Sequence, residues 1–472
     1  MFKKFNILRP LLAILIIFIP LYPKFPLGNV AGTYVAIRLD DIIVALSIII
    51  WGIYQLKNKL PILKEPITKI VFAYYLAIIA SFISALFIFQ TEPRQILLLH
   101  VLRRFEYTSL LFLTISALKD RLDAKYYYLI TYLTTAAVII YGYGQKYIHL
   151  PVISTMNSEF SKGQLLQMDI WTRISSTFAG HYDLAAFLSV VLIIIGGLIV
   201  IDKQNKTKIL NIILWLFAFN ILTLTASRVS VFAFFGGMCL TLFLLRKYLW
   251  IIPVSLIFAF SLFNSKDLNQ RLLATIPALK HQWFTSTSSP TAAPATPTPT
   301  PIIVIAAGPS NGKVTPTPYK YLSPTPTVIR HGPVDEYLPV DSDVGVARSG
   351  EIRFNAEWPR AITAFRKNII TGTGLGSITL ATDNDYLRLL GESGLFGFVT
   401  FMLIMIFFVF KTIPHIFIKK LSTKNYLPII FLGALITFLI NATLIDVFEA
   451  SKTAYTFWIM MGFYYTFLDK QK

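Results

Sequence analysis

The sequence predicts an all-α, polytopic transmembrane bundle of about twelve helices, and three observations carry that expectation. Hydrophobic residues make up 55% of the chain and charged residues only 14%, a balance that no soluble surface sustains. Apolar stretches of roughly 20 residues, the length that crosses a hydrocarbon core about 30 Å thick, recur along the chain. The 43 Lys and Arg, against 24 Asp and Glu, sit in short clusters between those stretches. This is how positive charge holds loops on the cytoplasmic side, and it excludes the single basic face of a nucleic-acid binder.

The first stretch, near 7–23, follows the basic segment MFKKFNILRP and resembles a signal peptide. Pro23, Lys24 and Pro26 offer no small-x-small cleavage site, so it reads as an uncleaved first helix. Further spans are expected near 36–55, 67–89, 96–118, 126–148, 181–201, 209–225, 229–245, 249–263, 386–410, 425–445 and 453–468. The seventh to ninth are short and closely spaced, so tilted or merged helices are alternatives there. Placing the N-terminus inside puts Lys57, Lys119, Lys203, Arg246, Lys419 and Lys470, with their basic neighbours, all on one side. The expected protein therefore spans its membrane with both termini cytoplasmic.

Three regions follow: spans one to nine over 1–263, a large extracytoplasmic loop over 264–384, and the last three spans over 385–472. Within the loop, 285–327 is a Thr/Pro-rich tract that cannot bury a core and reads as an extended, disordered linker. Order signals return over 348–384. Trp358, Ile362, Phe365 and Ile369 recur at helical spacing, with Arg353, Glu357 and Arg360 on another face. An amphipathic helix over the membrane mouth is expected, starting or kinking at Pro359. The single cysteine, Cys239, lies in an apolar run and gives neither a disulfide framework nor a cysteine metal site.

Charged side chains in or beside a membrane helix are expensive, so each asks for a partner or a task. Most of those here fall at the outer ends of their spans, which implies a polar chamber opening outward. Arg228 follows TLTAS and begins a span, where it either anchors at the interface or meets an anionic head group. Arg173 lies in WTRISSTFAGHYDLAAF, and there His181 and Asp183 suit acid, base or helix-capping roles. Arg103 and Glu106 are spaced to neutralise one another, and Asp40 and Asp41 suit a helix start. In TGTGLGSITLATDNDYLRLLGESGLFG, Gly372, Gly374 and Gly376 allow close backbone approach, but the phosphate-loop Lys-Ser/Thr is missing. Asp341-Ser342-Asp343 and Asp383-Asn384-Asp385 have the form of the acidic triplet of metal-dependent glycosyltransferases. Both fall outside the cell, where nucleotide sugars are absent, so no metal and no cofactor is expected.

Taken together, SGEIRFNAEWPRAITAFRKNIITGTGLG, then DNDYLRLLGESGLFG, with TASR and TRISSTF, resemble the O-antigen ligase and polymerase family. The resemblance covers 173–397, and the helix layout extends it to the whole chain. It implies a membrane glycosyltransferase that moves a glycan from a polyprenyl (undecaprenyl) diphosphate carrier to an acceptor hydroxyl on a glycan, a lipid or a protein. It also implies that Arg173, Arg228 and Arg353 bind the diphosphate, with Gly372, Gly374, Gly376 and Asn384 shaping the loop. Where ligases usually have His-Asn before the Tyr-Leu, this chain has Asp383-Asn384, leaving Asp383, Glu392 and His181 as candidate catalytic groups. Ligase, polymerase and protein glycosylation stay open, as does a transporter or flippase of lipid-linked glycans.

Overall fold

A computed structural model of the chain describes residues 6–23, 25–29, 36–89, 94–118, 121–151, 153–154, 166–167, 173–264, 352–378, 382–418 and 423–469. The Thr/Pro-rich tract expected over 285–327 lies outside them. Among the described residues the architecture is helical, with two small antiparallel strand pairs, β1 (Pro26–Asn29) with β2 (Ala36–Arg38) and β3 (Ile153–Ser154) with β4 (Leu166–Gln167). Among the described residues, nine α-helices lie before residue 265: α1 (Leu8–Leu21), α2 (Leu39–Lys57), α3 (Pro66–Ser84), α4 (Arg94–Ala117), α5 (Arg121–Tyr147), α6 (His181–Ile201), α7 (Asn205–Leu224), α8 (Arg228–Leu244) and α9 (Ile251–Asn264). Beyond residue 351 come α10 (Trp358–Lys367), α11 (Asp385–Phe417), α12 (Thr423–Asn441) and α13 (Ser451–Asp469). A helix therefore stands wherever the sequence placed a span, and α7, α8 and α9 are separate. Among the described residues, five helical segments, 39–57, 66–89, 181–201, 205–224 and 385–417, are long and apolar enough to cross a membrane.

The core follows from apolar content. α6 is apolar on every face and is 78% buried over its most apolar window, so it sits at the centre against α7, α8 and α12. α2, only 22% buried, lies at the periphery. Small residues bring α8 and α12 together. Gly237 faces Thr437 and Gly433 faces Thr241, while each threonine hydroxyl donates back to the glycine carbonyl one turn earlier in its own helix, Thr241 to Gly237 and Thr437 to Gly433. Large apolar side chains such as Phe87, Ile88, Ile140 and Phe263 point outward, as a lipid-facing surface requires.

The amphipathic segment departs from its expected form. It opens with a π-turn (Arg353–Glu357) that runs into α10, with Pro359 in the first turn, and it stops at Lys367. Ile369, expected on the helix face, lies in a turn beyond it. The reason is a kink in α11 at Gly394 (φ 63°, ψ −167°). The kink frees the carbonyls of Gly391 and Glu392 and the N–H groups of Leu395 and Phe396 from helical bonding. Segment 369–374 pairs with all four, through Thr373 N–H (3.0 Å), Gly374 N–H (2.9 Å), Ile369 O (2.8 Å) and Ile370 O (3.0 Å). Gly372 has φ +69° and lies so close to the Glu392 backbone that a Cβ would collide with it. The glycine turn is thus built into the bundle.

Candidate functional site

The polar groups collect at one end of the bundle, where α6, α8, α11 and α13 begin and α12 ends. Two local devices hold the 173–180 turn. Gln145 of α5 accepts from Ser176 N–H (2.8 Å) and donates to Ser176 O (3.0 Å). Lys452, wholly buried in α13, donates to Thr177 O (2.7 Å) and Pro20 O (3.1 Å) and lies over the Phe178 ring. The turn presents Arg173, whose Nη1 donates to His181 Nε2 at 2.7 Å. A guanidinium only donates, so Nε2 of His181 is unprotonated and its lone pair is engaged. His181 packs on Tyr182, ring centroids 4.1 Å apart.

Arg228 starts α8 over a polar chain: Ser227 donates to Ser230 (3.0 Å), Ser230 to Asn441 (2.7 Å), and Asn441 to Ser189 (3.2 Å). Arg228 is within electrostatic range of Tyr182, Arg353 and Arg173. Arg228, on α8, therefore has two other arginines within electrostatic range, one from the 173–180 turn and one from the π-turn before α10.

Arg353 forks onto one oxygen of Asp383, Nε at 3.0 Å and Nη2 at 2.7 Å from Oδ2. Burial raises the Asp383 carboxyl above the usual carboxylate range, opposed by Arg353 and assisted by Asp446. Asp383 has φ +48°, in the left-handed region that aspartate tolerates better than most side chains. Asp446, in the α12–α13 connection, spans that turn: Oδ2 accepts from Thr382 N–H (3.0 Å), Oδ1 from Asn384 N–H (3.1 Å), and Arg388 adds a bond to Oδ2 at 3.3 Å. Asn384 caps α11, its side chain accepting from Leu387 N–H at 3.0 Å.

Below this lies a buried charge network. Arg388 donates to Glu392 (3.2 Å) and Ile378 O (3.0 Å), Arg104 pairs with Glu449 and donates to Phe448 O (3.2 Å), and Asp385 accepts from Phe448 N–H (3.1 Å). Glu392 is 1% exposed, so its charge acts inside the bundle. Arg103 lies within electrostatic range of Tyr107 and Asp41 as well as of Glu106, and Glu106 accepts from Tyr455 at 2.8 Å. Asp41 accepts from Arg38 N–H (3.1 Å) at the start of α2.

The sequence picked out Arg173, His181, Arg228, Arg353 and Asp383, and the fold gathers them. It placed Glu392 among them, but the fold seats that residue beneath, with Arg388. It missed Asp446, Glu449 and Lys452, whose signal was a short connection dense in polar residues, NATLIDVFEASK. Compared with known protein families the chain matches none, and no curated protein matches it.

Proposed function

We propose that the protein is a metal-independent glycosyltransferase of the O-antigen ligase and polymerase type. It would span a bacterial cytoplasmic membrane about twelve times, with both termini inside and the large loop outside. Its donor would be a glycan on a polyprenyl diphosphate, and its acceptor a hydroxyl of a glycan, a lipid or a protein. One observation carries the reading: Arg173 and Arg353, from two other elements, both lie within electrostatic range of Arg228. Asp383 answers only Arg353, so three guanidiniums leave an excess of positive charge that attracts an anion, and planar guanidiniums bind phosphate oxygens bidentately. As the sugar leaves its carrier, negative charge gathers on the diphosphate. Donors fixed in advance by Gln145, Lys452 and Asp383 stabilise that charge without reorganising.

The experiment follows release of polyprenyl diphosphate from a polyprenyl-diphosphate-linked oligosaccharide by the purified protein in EDTA, with hydroxyl acceptors added in turn. Acceptor-dependent release is expected. No release, alongside movement of the same lipid across proteoliposomes, would move the reading to a transporter.

A further inference from the structure

Glycosyl transfer to a hydroxyl needs a group that takes the hydroxyl proton, and most candidates at this site already hold donors. His181 Nε2 receives Arg173, Asp383 receives both arms of Arg353, and Asp446 receives three donors. Glu392 and Glu449 are locked to Arg388 and Arg104 in the buried layer. Glu357 is different. It is partly exposed, and its Oε2 is shielded from solvent with no hydrogen-bond partner among the described residues. It closes the π-turn that Arg353 opens, a widened turn of the kind that recurs at functional sites. Asp383, Arg353, Asp446 and Arg360 all lie within electrostatic range of it, so it belongs to the arginine cluster and is not a solvated loop charge. Trp358, next in the chain, also has a buried Nε1–H without a partner among the described residues, and its ring lies edge-on to the half-exposed Phe354. An apolar ring face beside unpaired polar atoms is what a sugar ring and its hydroxyls fill.

We infer that Glu357 is the general base of the transfer and that Glu357 and Trp358 form the acceptor-sugar subsite. The inference rests on the glycosyltransferase reading. In the step, the acceptor oxygen bonds to the anomeric carbon as that carbon's bond to the diphosphate oxygen breaks. The acceptor proton passes to the Glu357 carboxylate and then to water, and the polyprenyl diphosphate leaves with the bonding pair. Burial, with the neighbouring Asp383 charge, raises the Glu357 carboxyl to about 7 against the pull of Arg353 and Arg360, so it changes charge where a base working near neutrality should. The base acts when ionised, so transfer rises with pH through that value.

The test uses the full chain in detergent, a polyprenyl-diphosphate-linked oligosaccharide as donor, methyl glycosides as hydroxyl acceptors, and azide as an anionic nucleophile with no proton to lose. For Glu357→Gln, transfer to the glycosides should fall about 10²-fold or more, with donor KM little changed and the rise through pH 7 lost. Azide should restore turnover and yield the glycosyl azide. Asp383→Asn should be slower than wild type yet keep the rise with pH. Wild-type rates or an unchanged pH profile in Glu357→Gln, with active wild type, would overturn the base assignment alone. Failure of azide to restore turnover would do the same. A wild-type protein that releases no polyprenyl diphosphate with any acceptor would overturn the function and the inference together.

Discussion

Asp446→Asn is the substitution whose consequence follows most directly from the hydrogen bonds around Asp383. The aspartate accepts Asn384 N–H on one oxygen, and Thr382 N–H and Arg388 on the other. An asparagine keeps its shape but offers only one oxygen, so its amide nitrogen must face a backbone N–H. The Asp446 side chain is 16% exposed, so water replaces the lost acceptor poorly. An N–H left without an acceptor costs about 1–3 kcal/mol, and losing the charge on the Arg388 bond adds roughly 1 kcal/mol. The sum, about 2–4 kcal/mol, is withdrawn from the bonds that hold Asp383 in its left-handed conformation, so the turn relaxes. Asp383 then releases Arg353, and a guanidinium misplaced by an ångström lowers the transfer rate about 10²-fold. Donor-release kinetics and thermal unfolding in detergent measure both effects. A variant with wild-type rate and wild-type Tm would refute the reasoning.

Two further substitutions test the frame that holds the site. Gly394→Ala places a Cβ against the Ile370 carbonyl at φ and ψ values that glycine alone tolerates, so a loss of about 3 kcal/mol or more is expected. Size-exclusion chromatography should show little monodisperse protein, and a normal yield would contradict the role of the kink. Lys452→Met keeps the packing volume but withdraws the ammonium from Thr177 O and Pro20 O. Each buried carbonyl that loses its donor costs about 1–3 kcal/mol, so Tm should fall by several degrees with membrane insertion retained. An unchanged Tm would show that the latch carries no energy.

The helices were legible because membrane insertion leaves a strong local signal: twenty apolar residues read as a helix whatever they pack against. The arginines were legible for the complementary reason, since charge at the lip of an apolar run is expensive enough to mark itself. What escaped depends on contacts between distant segments. Residues 442–450 read as a brief connection, yet Asp446 and Glu449 fold back into the bundle to meet the 382–384 turn and Arg104. Helical periodicity put Ile369 on α10, but the Gly394 kink offers its carbonyl the Leu395 N–H, and the chain leaves the helix in a turn to take it. Glu357 was visible only as one charged residue on a helix face. Its place beside Asp383 depends on the π-turn, which leaves no mark in hydrophobic spacing.

The most direct test of a diphosphate held by converging guanidiniums is Arg228→Lys, which preserves the positive charge but removes the planar fork. Polyprenyl diphosphate release should be measured in EDTA for wild type and variant at matched levels of membrane-inserted protein. A sharp loss of turnover in the variant is the expected result, and wild-type turnover would contradict the arginine site on which the function rests.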